Sequence, residues 1–386
     1  MSDHCSPTFS DLATRLGFSC EEAGGLVEVR NPFALENWTL PVLEFTIVLG
    51  AVLALVHAIL RLRRHGDPTN LVLWFGATAF LFVIEPPIYF PAIFGTEEYL
   101  GTMFAHNVFT VDFLWGRLPL YIVAIYPLMA TLAFEIVRML GVFRRYGVFL
   151  GAVCVGFVHH AFYEIFDQLG PQLRWWEWTL DNKVNLPFFD SVPLPSVVVF
   201  AALWPMSLAL CVQFFVGRHV DAGRHFSGLQ LVWRTVVIGL AASVGVFVLP
   251  LPATVFGMGS DTVRGFLYAA ELAVLAVVAV VVLVRQWSHL RQEPSDAPGY
   301  RNAFVQRYAL VYLGVMALLW ISALPDWFGA VDGTTGNGDP IGSLWYTIGC
   351  FAIAIVCVVA TFTVPRRSPE SNGDAAPAES APAGTV

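Results

Sequence analysis

Apolar stretches of about 20 residues, the length that crosses a bilayer as a helix, recur from Pro41 onward with polar interruptions between them. They fall at 41–62, 69–90, 118–140, 146–168, 195–217, 229–250, 266–285, 308–325 and 343–363. The pattern predicts an all-α, polytopic bundle of nine transmembrane helices. The interruptions alternate in sign. Arg61, Arg63 and Arg64 follow the first stretch, Arg144 and Arg145 the third, and Arg218 and Arg224 the fifth. Arg285, Arg291, Arg301 and Arg307 flank the loop after the seventh, and Arg366 and Arg367 follow the ninth. The intervening loops carry Glu97, Glu98 and Asp112, then Glu177, Asp181 and Asp190, then Asp261, and finally Asp326, Asp332 and Asp339. Cationic loops stay on the cytoplasmic side, so the N-terminus is expected outside, the C-terminus inside, and the protein in the cell membrane.

Three segments follow from this pattern: an extracellular acidic segment over 1–40, a transmembrane helical domain over 41–364, and a disordered cytoplasmic tail over 365–386. The tail, rich in Ser, Pro, Ala and Gly, has nothing to bury. Residues 1–40 lack the basic start and apolar run of a signal peptide and are expected to be retained. Their Cys5 and Cys20 are a disulfide candidate if the segment faces an oxidising compartment and free thiols if it does not; the outward orientation favours the disulfide. Composition agrees with a membrane protein, since 56% of residues are hydrophobic and only 13% charged. The formal charge of -8 sits in particular loops, which leaves no basic surface for nucleic acid.

Candidate chemistry centres on the end of the fourth stretch, His159-His160-Ala161-Phe162-Tyr163-Glu164-Ile165-Phe166-Asp167. At the helical period His160, Glu164 and Asp167 share one face. Ionisable groups in a bilayer cost roughly 2.5–3.5 kcal/mol each on insertion scales and mark function by default. Glu85 closes the second helix on the same side, ahead of Pro86 and Pro87, which are expected to break it. The ordinary readings stand beside the functional ones. Asp167 and Glu44 sit where headgroup water reaches, His57 hydrogen-bonds a neighbouring helix, Glu135 and Arg138 pair locally, and Arg117 is either a counter-ion or a substrate contact. A metal reading joins His160 and Glu164 with Glu85, His106 or Asp112. Lacking H-E-x-x-H and paired-cysteine spacings, the chain calls for no metal and no cofactor.

The order Glu164-Ile-Phe-Asp167, Trp176-Glu-Trp178, Ser191-Val-Pro193-Leu194 and Trp204 resembles the membrane carotenoid biosynthesis family that includes the bacterioruberin-type carotenoid hydratases. Glu85, Phe94-Gly95 with Tyr99, and Leu118-Pro119-Leu120-Tyr121 extend the likeness over about residues 70–215. The chain departs from the family pattern at Gln168, where the family has Pro, and at Glu97, where it has Tyr. The resemblance implies a hydratase-like enzyme acting on a carotenoid, isoprenoid or other lipid at an outer-leaflet site. Glu85, His160, Glu164 and Asp167 would be its catalytic set, and Tyr99, Arg117, Trp176, Trp178 and Trp204 its substrate contacts. In that chemistry a protonated carboxyl adds a proton to an alkene, a Trp face steadies the cation, His160 deprotonates the water and Asp167 orients it. A transporter or lipid-binding protein using the same residues as a relay, or a structural partner in a cell-envelope assembly, are the alternatives.

Overall fold

The computed structural model describes residues 5–179, 182, 184–189, 191–298 and 300–364. The expected tail over 365–386, and Asp181 and Asp190, lie outside the described residues. A lid helix, α1 (Pro7–Leu16), precedes nine helices long and apolar enough to span a membrane among the described residues. These are α2 (Thr39–His65), α3 (Thr69–Tyr89), α4 (Leu120–Met139), α5 (Val142–Asp167), α6 (Ser196–Asp221), α7 (Gly228–Val248), α8 (Asp261–Gln292), α9 (Ala303–Phe328) and α10 (Leu344–Thr363). At 1.5 Å rise per residue even the shortest, of 20 residues, covers a hydrocarbon core of about 30 Å. The protein is therefore a multi-pass membrane protein with an all-α bundle. Consecutive spans reverse direction, so the chain has a lid end and an end rich in arginine.

Burial separates a central group from the periphery. α4, α5 and α6 are mostly enclosed, whereas α7 and α8 leave most of their apolar surface exposed, as lipid-facing helices do. α4 packs on α2, α3 and α5, while α5 also meets α6, α8 and α10. Backbone carbonyls of α5 receive neighbours: Tyr312 donates its hydroxyl to Phe162 O at 2.9 Å, and Trp320 Nε1 donates to Ile165 O at 2.8 Å. The approach of α5 to α6 requires a glycine. A Cβ at Gly156 would stand 2.6 Å from Ala202 O, a backbone atom that cannot swing away.

Two local features depart from expectation. α3 runs through Pro86 and Pro87 to Tyr89 instead of stopping at Glu85. Both prolines occupy its last turn, where neither can donate to the carbonyl four residues back, Phe82 O or Val83 O; the turn still closes by Phe90 N donating to Pro86 O at 3.0 Å. The fourth span begins four residues before Tyr146, at Val142, and bends at Gly147, whose φ of 79° leaves the helical region. In α6, Ser196–Leu203 and Gln213–Gly217 wind as π-helix.

The acidic N-terminal segment is a folded lid. Ser6 caps α1 by accepting from Phe9 N at 3.2 Å, Pro7 opens the first turn, and Gly17 at φ 95° ends it. Phe9, Leu12, Ala13 and Leu16 on its buried face pack with Phe18, Ala23 and Ala105. Cys5 and Cys20 are disulfide-bonded across the loop that leaves it. The short strand β1 (Val27–Val29) pairs antiparallel with β3 (Val111–Phe113), which pairs in turn with β4 (Leu118–Pro119); β2 (Phe104–His106) pairs with β5 (Trp176–Trp178). Glu44, expected in headgroup water, is buried instead. Its carboxylate accepts from Thr110 N at 2.9 Å and Val111 N at 3.1 Å, securing the loop into β3.

Candidate functional site

A cavity of about 40 Å³ lies where the lid sheet meets α3–α6. Each wall follows from the local fold. α3 contributes Glu85 one turn before its end, α4 contributes Ile122, Ile125 and Tyr126, and α5 contributes Tyr163, Phe166 and Asp167. The π-helical start of α6 adds Ser196 and Phe200, and the β2–β5 ribbon roofs the space with Phe104, His106, Trp176 and Trp178. The ribbon register pairs Phe104 with Trp178 and His106 with Trp176, so alternate side chains on both strands reach the same face. W-x-W spacing is what a strand needs to point two indoles one way.

The polar groups are fixed on one side and open on the other. Tyr126 donates its hydroxyl to Glu85 Oε1, and Ser196 donates to Asp167 Oδ2 at 2.7 Å. Glu85 Oε2, Asp167 Oδ1 and the indole nitrogens of Trp176 and Trp178 are buried without a hydrogen-bond partner in the protein. A buried polar atom left unpaired costs on the order of 1–3 kcal/mol. Four of them around one cavity make it the candidate site for an occupant that accepts from the indoles and exchanges hydrogen bonds with the carboxyls.

His106 completes the roof. Its Nδ1 lies 3.1 Å from the Tyr121 hydroxyl and its Nε2 3.4 Å from the Tyr89 hydroxyl. Burial pushes its imidazole down to about 3, so the ring is neutral at ordinary pH and splits its nitrogens between one donor and one acceptor. At the ribbon's edge, burial raises the Glu177 carboxyl while Arg15, 2.6 Å away, works against that.

The expected site residues divide into two groups. Glu85, Asp167, Trp176 and Trp178 meet at the cavity. Asp167, expected near interfacial water, is only 1% exposed. Glu164 and His160 lie behind the cavity wall, although they share a helix with Asp167. Glu164 accepts from Gln168 Nε2 at 2.9 Å. His160 has both nitrogens engaged: Nδ1 donates to Val197 O at 3.0 Å, and Nε2 lies 2.6 Å from the Tyr346 hydroxyl. Arg117 sits under the lid with its guanidinium 3.3 Å above the Phe9 ring; burial lowers it to about 10, which leaves it charged. Tyr99 is exposed on a short helical turn and does not line the cavity. Trp204 stands deeper, against Phe80, Tyr126 and His159.

The expected Glu135–Arg138 pair is part of a wider network at the arginine-rich end. Arg138 reaches Glu135 at 3.5 Å but Asp67 at 2.6 Å, and Arg61 meets the same Asp67 carboxylate at 2.9 Å. Burial opposes ionisation of Asp67, yet Arg138, Thr69 and Arg61 together hold its carboxyl well below the usual range. Tyr300 and Asn302 donate to Glu135. His57 makes no hydrogen bond through Nε2 and stacks on Phe304. Among the described residues no group of three or more His, Cys, Asp or Glu is arranged to hold a metal ion, and His106 and Asp112 have tyrosine and Arg30 as neighbours instead of each other. Comparison with known family models, curated proteins and solved structures finds no match for the chain.

Proposed function

We propose that this membrane protein is an enzyme that adds water to, or removes it from, an alkene of an isoprenoid-type lipid, with Glu85 as the acid. The observation that carries the reading is the pair of carboxyls, Glu85 and Asp167, contributed by different helices to one aromatic-walled cavity inside an apolar bundle, each with one oxygen unpaired. Protonating an alkene carbon needs a carboxylic acid at the carbon and a place for the resulting tertiary cation. Aromatic faces such as Trp176, Trp178 and Phe166 supply that place, worth about 2 kcal/mol or more per contact when water is excluded. Asp167, oriented by Ser196, lends negative charge or a hydrogen bond to the hydroxylated product.

A relay through the membrane is less well supported. Between Tyr126 and Glu135, α4 presents buried Leu128, Met129, Ala130, Leu132, Ala133 and Phe134, and the Thr131 hydroxyl is turned back onto Pro127 O at 2.6 Å. That stretch offers no polar step between the cavity and the network around Asp67.

Lipids extracted from a strain lacking the gene, compared by mass with the parent strain, test the reading. The expected result is accumulation of a species one water lighter or heavier than the parent's product, restored by the wild-type gene but not by Glu85→Gln. A general acid contributes about 10²- to 10⁴-fold, so the variant should be near background. An unchanged lipid inventory in the deletion strain would overturn the proposal.

A further inference from the structure

Beyond the main cavity lies a smaller chamber of about 10 Å³, bounded by Ile125, Tyr126, Met129, His159, Tyr163, Phe200 and Trp204. Ile125, Tyr126, Tyr163 and Phe200 belong to both, so the chambers adjoin. About one water is what such a volume holds. We propose that His159 is the base that holds the attacking water in this chamber; the inference rests on the hydration reading above.

The geometry fixes which nitrogen acts. His159 Nδ1 is 2.7 Å from Ala201 O, and a carbonyl only accepts, so Nδ1 carries the proton of the neutral ring. Nε2 is then the lone-pair nitrogen. It is buried in a side chain only 1% exposed and has no protein partner. Stacking on Tyr163 at 5.6 Å and an edge contact with Trp204 at 5.2 Å hold the ring in that orientation. His160, by contrast, has no nitrogen left for a water. Two adjacent histidines thus divide the work: both pin the π-helical turn of α6 through Nδ1, and only His159 keeps Nε2 for chemistry.

The alkene π electrons take the Glu85 proton to form a C–H bond, leaving a tertiary cation and a carboxylate. The water oxygen then forms the C–O bond, and its proton passes to His159 Nε2. Tyr126 lines both chambers and donates to Glu85, so its hydroxyl is placed to return that proton to the carboxylate. Alkene plus water becomes alcohol, with both side chains restored.

His159→Asn separates the two jobs, because its amide retains a donor near the Nδ1 position while the Nε2 site is gone. In the full-length protein, His159→Asn is expected to keep the wild-type melting temperature and a KM within about threefold, while kcat falls about 10²- to 10⁴-fold. An experimental structure of the wild type at water-resolving quality is expected to show one ordered water on Nε2. Absence of that water overturns the inference whatever the variant does. It is equally overturned if His159→Asn turns over within about threefold of wild type while Glu85→Gln is inactive. If wild-type protein changes no alkene, the hydration reading itself fails, and the water on Nε2 alone decides whether His159 is a water-binding residue.

Discussion

His106 is held neutral between two tyrosine hydroxyls in the roof of the cavity, and this makes the lid's stability depend on pH. Its folded value lies near 3, below the 6.5 of a free imidazole. The unfolded chain takes up a proton as pH falls through 6.5 and the folded one does not. The contribution is therefore fully present above pH about 6.5 and is lost progressively toward pH about 3, at about 1.4 kcal/mol per pH unit. Melting of detergent-solubilised protein is expected to fall by about 2 °C more between pH 7.5 and 5.5 in wild type than in His106→Gln; parallel curves would sink this. The same scale shows what a sequence can disclose. Glu85, Asp167, Trp176 and Trp178 stand out as charges or paired indoles in an apolar context. Tyr126 and Tyr163 look like any core aromatic, and His159 is indistinguishable from His160 until α6 is in place, because the two point about 100° apart and only the neighbouring helix decides which nitrogen is used.

At the scale of elements, the site depends on how closely α5 and α6 approach. Gly156 lies one turn before His159, facing Ala202 O. A branched side chain there forces the helices apart and pulls Ala201 O from His159 and Val197 O from His160. Gly156→Val is expected to cost about 1–3 kcal/mol, as overpacked cores do, and to lower turnover together with stability. If it melts like wild type, the close approach is not what the bundle needs. The nine spans were legible, seven of them to within about four residues, because hydropathy over a bilayer's width is a long signal; α8 and α9 run five to seven residues past an expected end, where charged residues continue the helix beyond the apolar stretch. The π-helical turns of α6 were not legible; the first of them presents Val197 O and Ala201 O to His160 and His159 of α5, contacts that a pattern along one helix does not disclose. Nor was the passage of α3 through Pro86 and Pro87, because a proline's missing i→i−4 bond predicts a stop and only the surrounding packing shows that the helix goes on to Tyr89.

For the whole molecule, the lid is held onto the bundle by contacts that composition alone does not show. Arg15 meets Glu177 at 2.6 Å, Arg30 meets buried Asp112, and Arg174 meets Glu36 at 3.4 Å. The Arg15 and Arg174 pairs are half-exposed and contribute modestly. The Cys5–Cys20 link spans a sequence separation of 15 residues, and closing a loop of that size stabilises by about 3 kcal/mol. Cys5→Ser with Cys20→Ser is expected to hasten protease cleavage within residues 5–38 while leaving the spans intact. Cleavage at the wild-type rate would show that the core around Phe9, Leu12 and Leu16 suffices without it. The sequence marked these residues as an acidic segment; the apolar face of α1 is too short a repeat to be read against nine louder ones.

We infer the orientation in the membrane from the arginines at the two ends of the bundle. At the lid end the described arginines are engaged with carboxylates or rings: Arg15 with Asp11 and Glu177, Arg30 with Asp112, Arg117 over Phe9, Arg174 with Asp339 and Glu36, and Arg264 with Asp261. At the other end Arg63, Arg64, Arg144, Arg145, Arg218, Arg224, Arg285, Arg291, Arg301 and Arg307 follow or precede span ends in short loops, where positive charge sets topology. The lid end is therefore expected outside, where an oxidising compartment also sustains the Cys5–Cys20 bond. Single cysteines at exposed positions, Glu98→Cys at the lid end and Ala222→Cys at the other, can be probed with a membrane-impermeant maleimide. The four native free cysteines lie within spans and leave a low background. Labelling of Glu98→Cys on intact cells, with Ala222→Cys labelled only after permeabilisation, is the expected outcome. The reverse pattern would put the cavity between Glu85 and Asp167 on the cytoplasmic leaflet and require the disulfide to persist against cellular reductants.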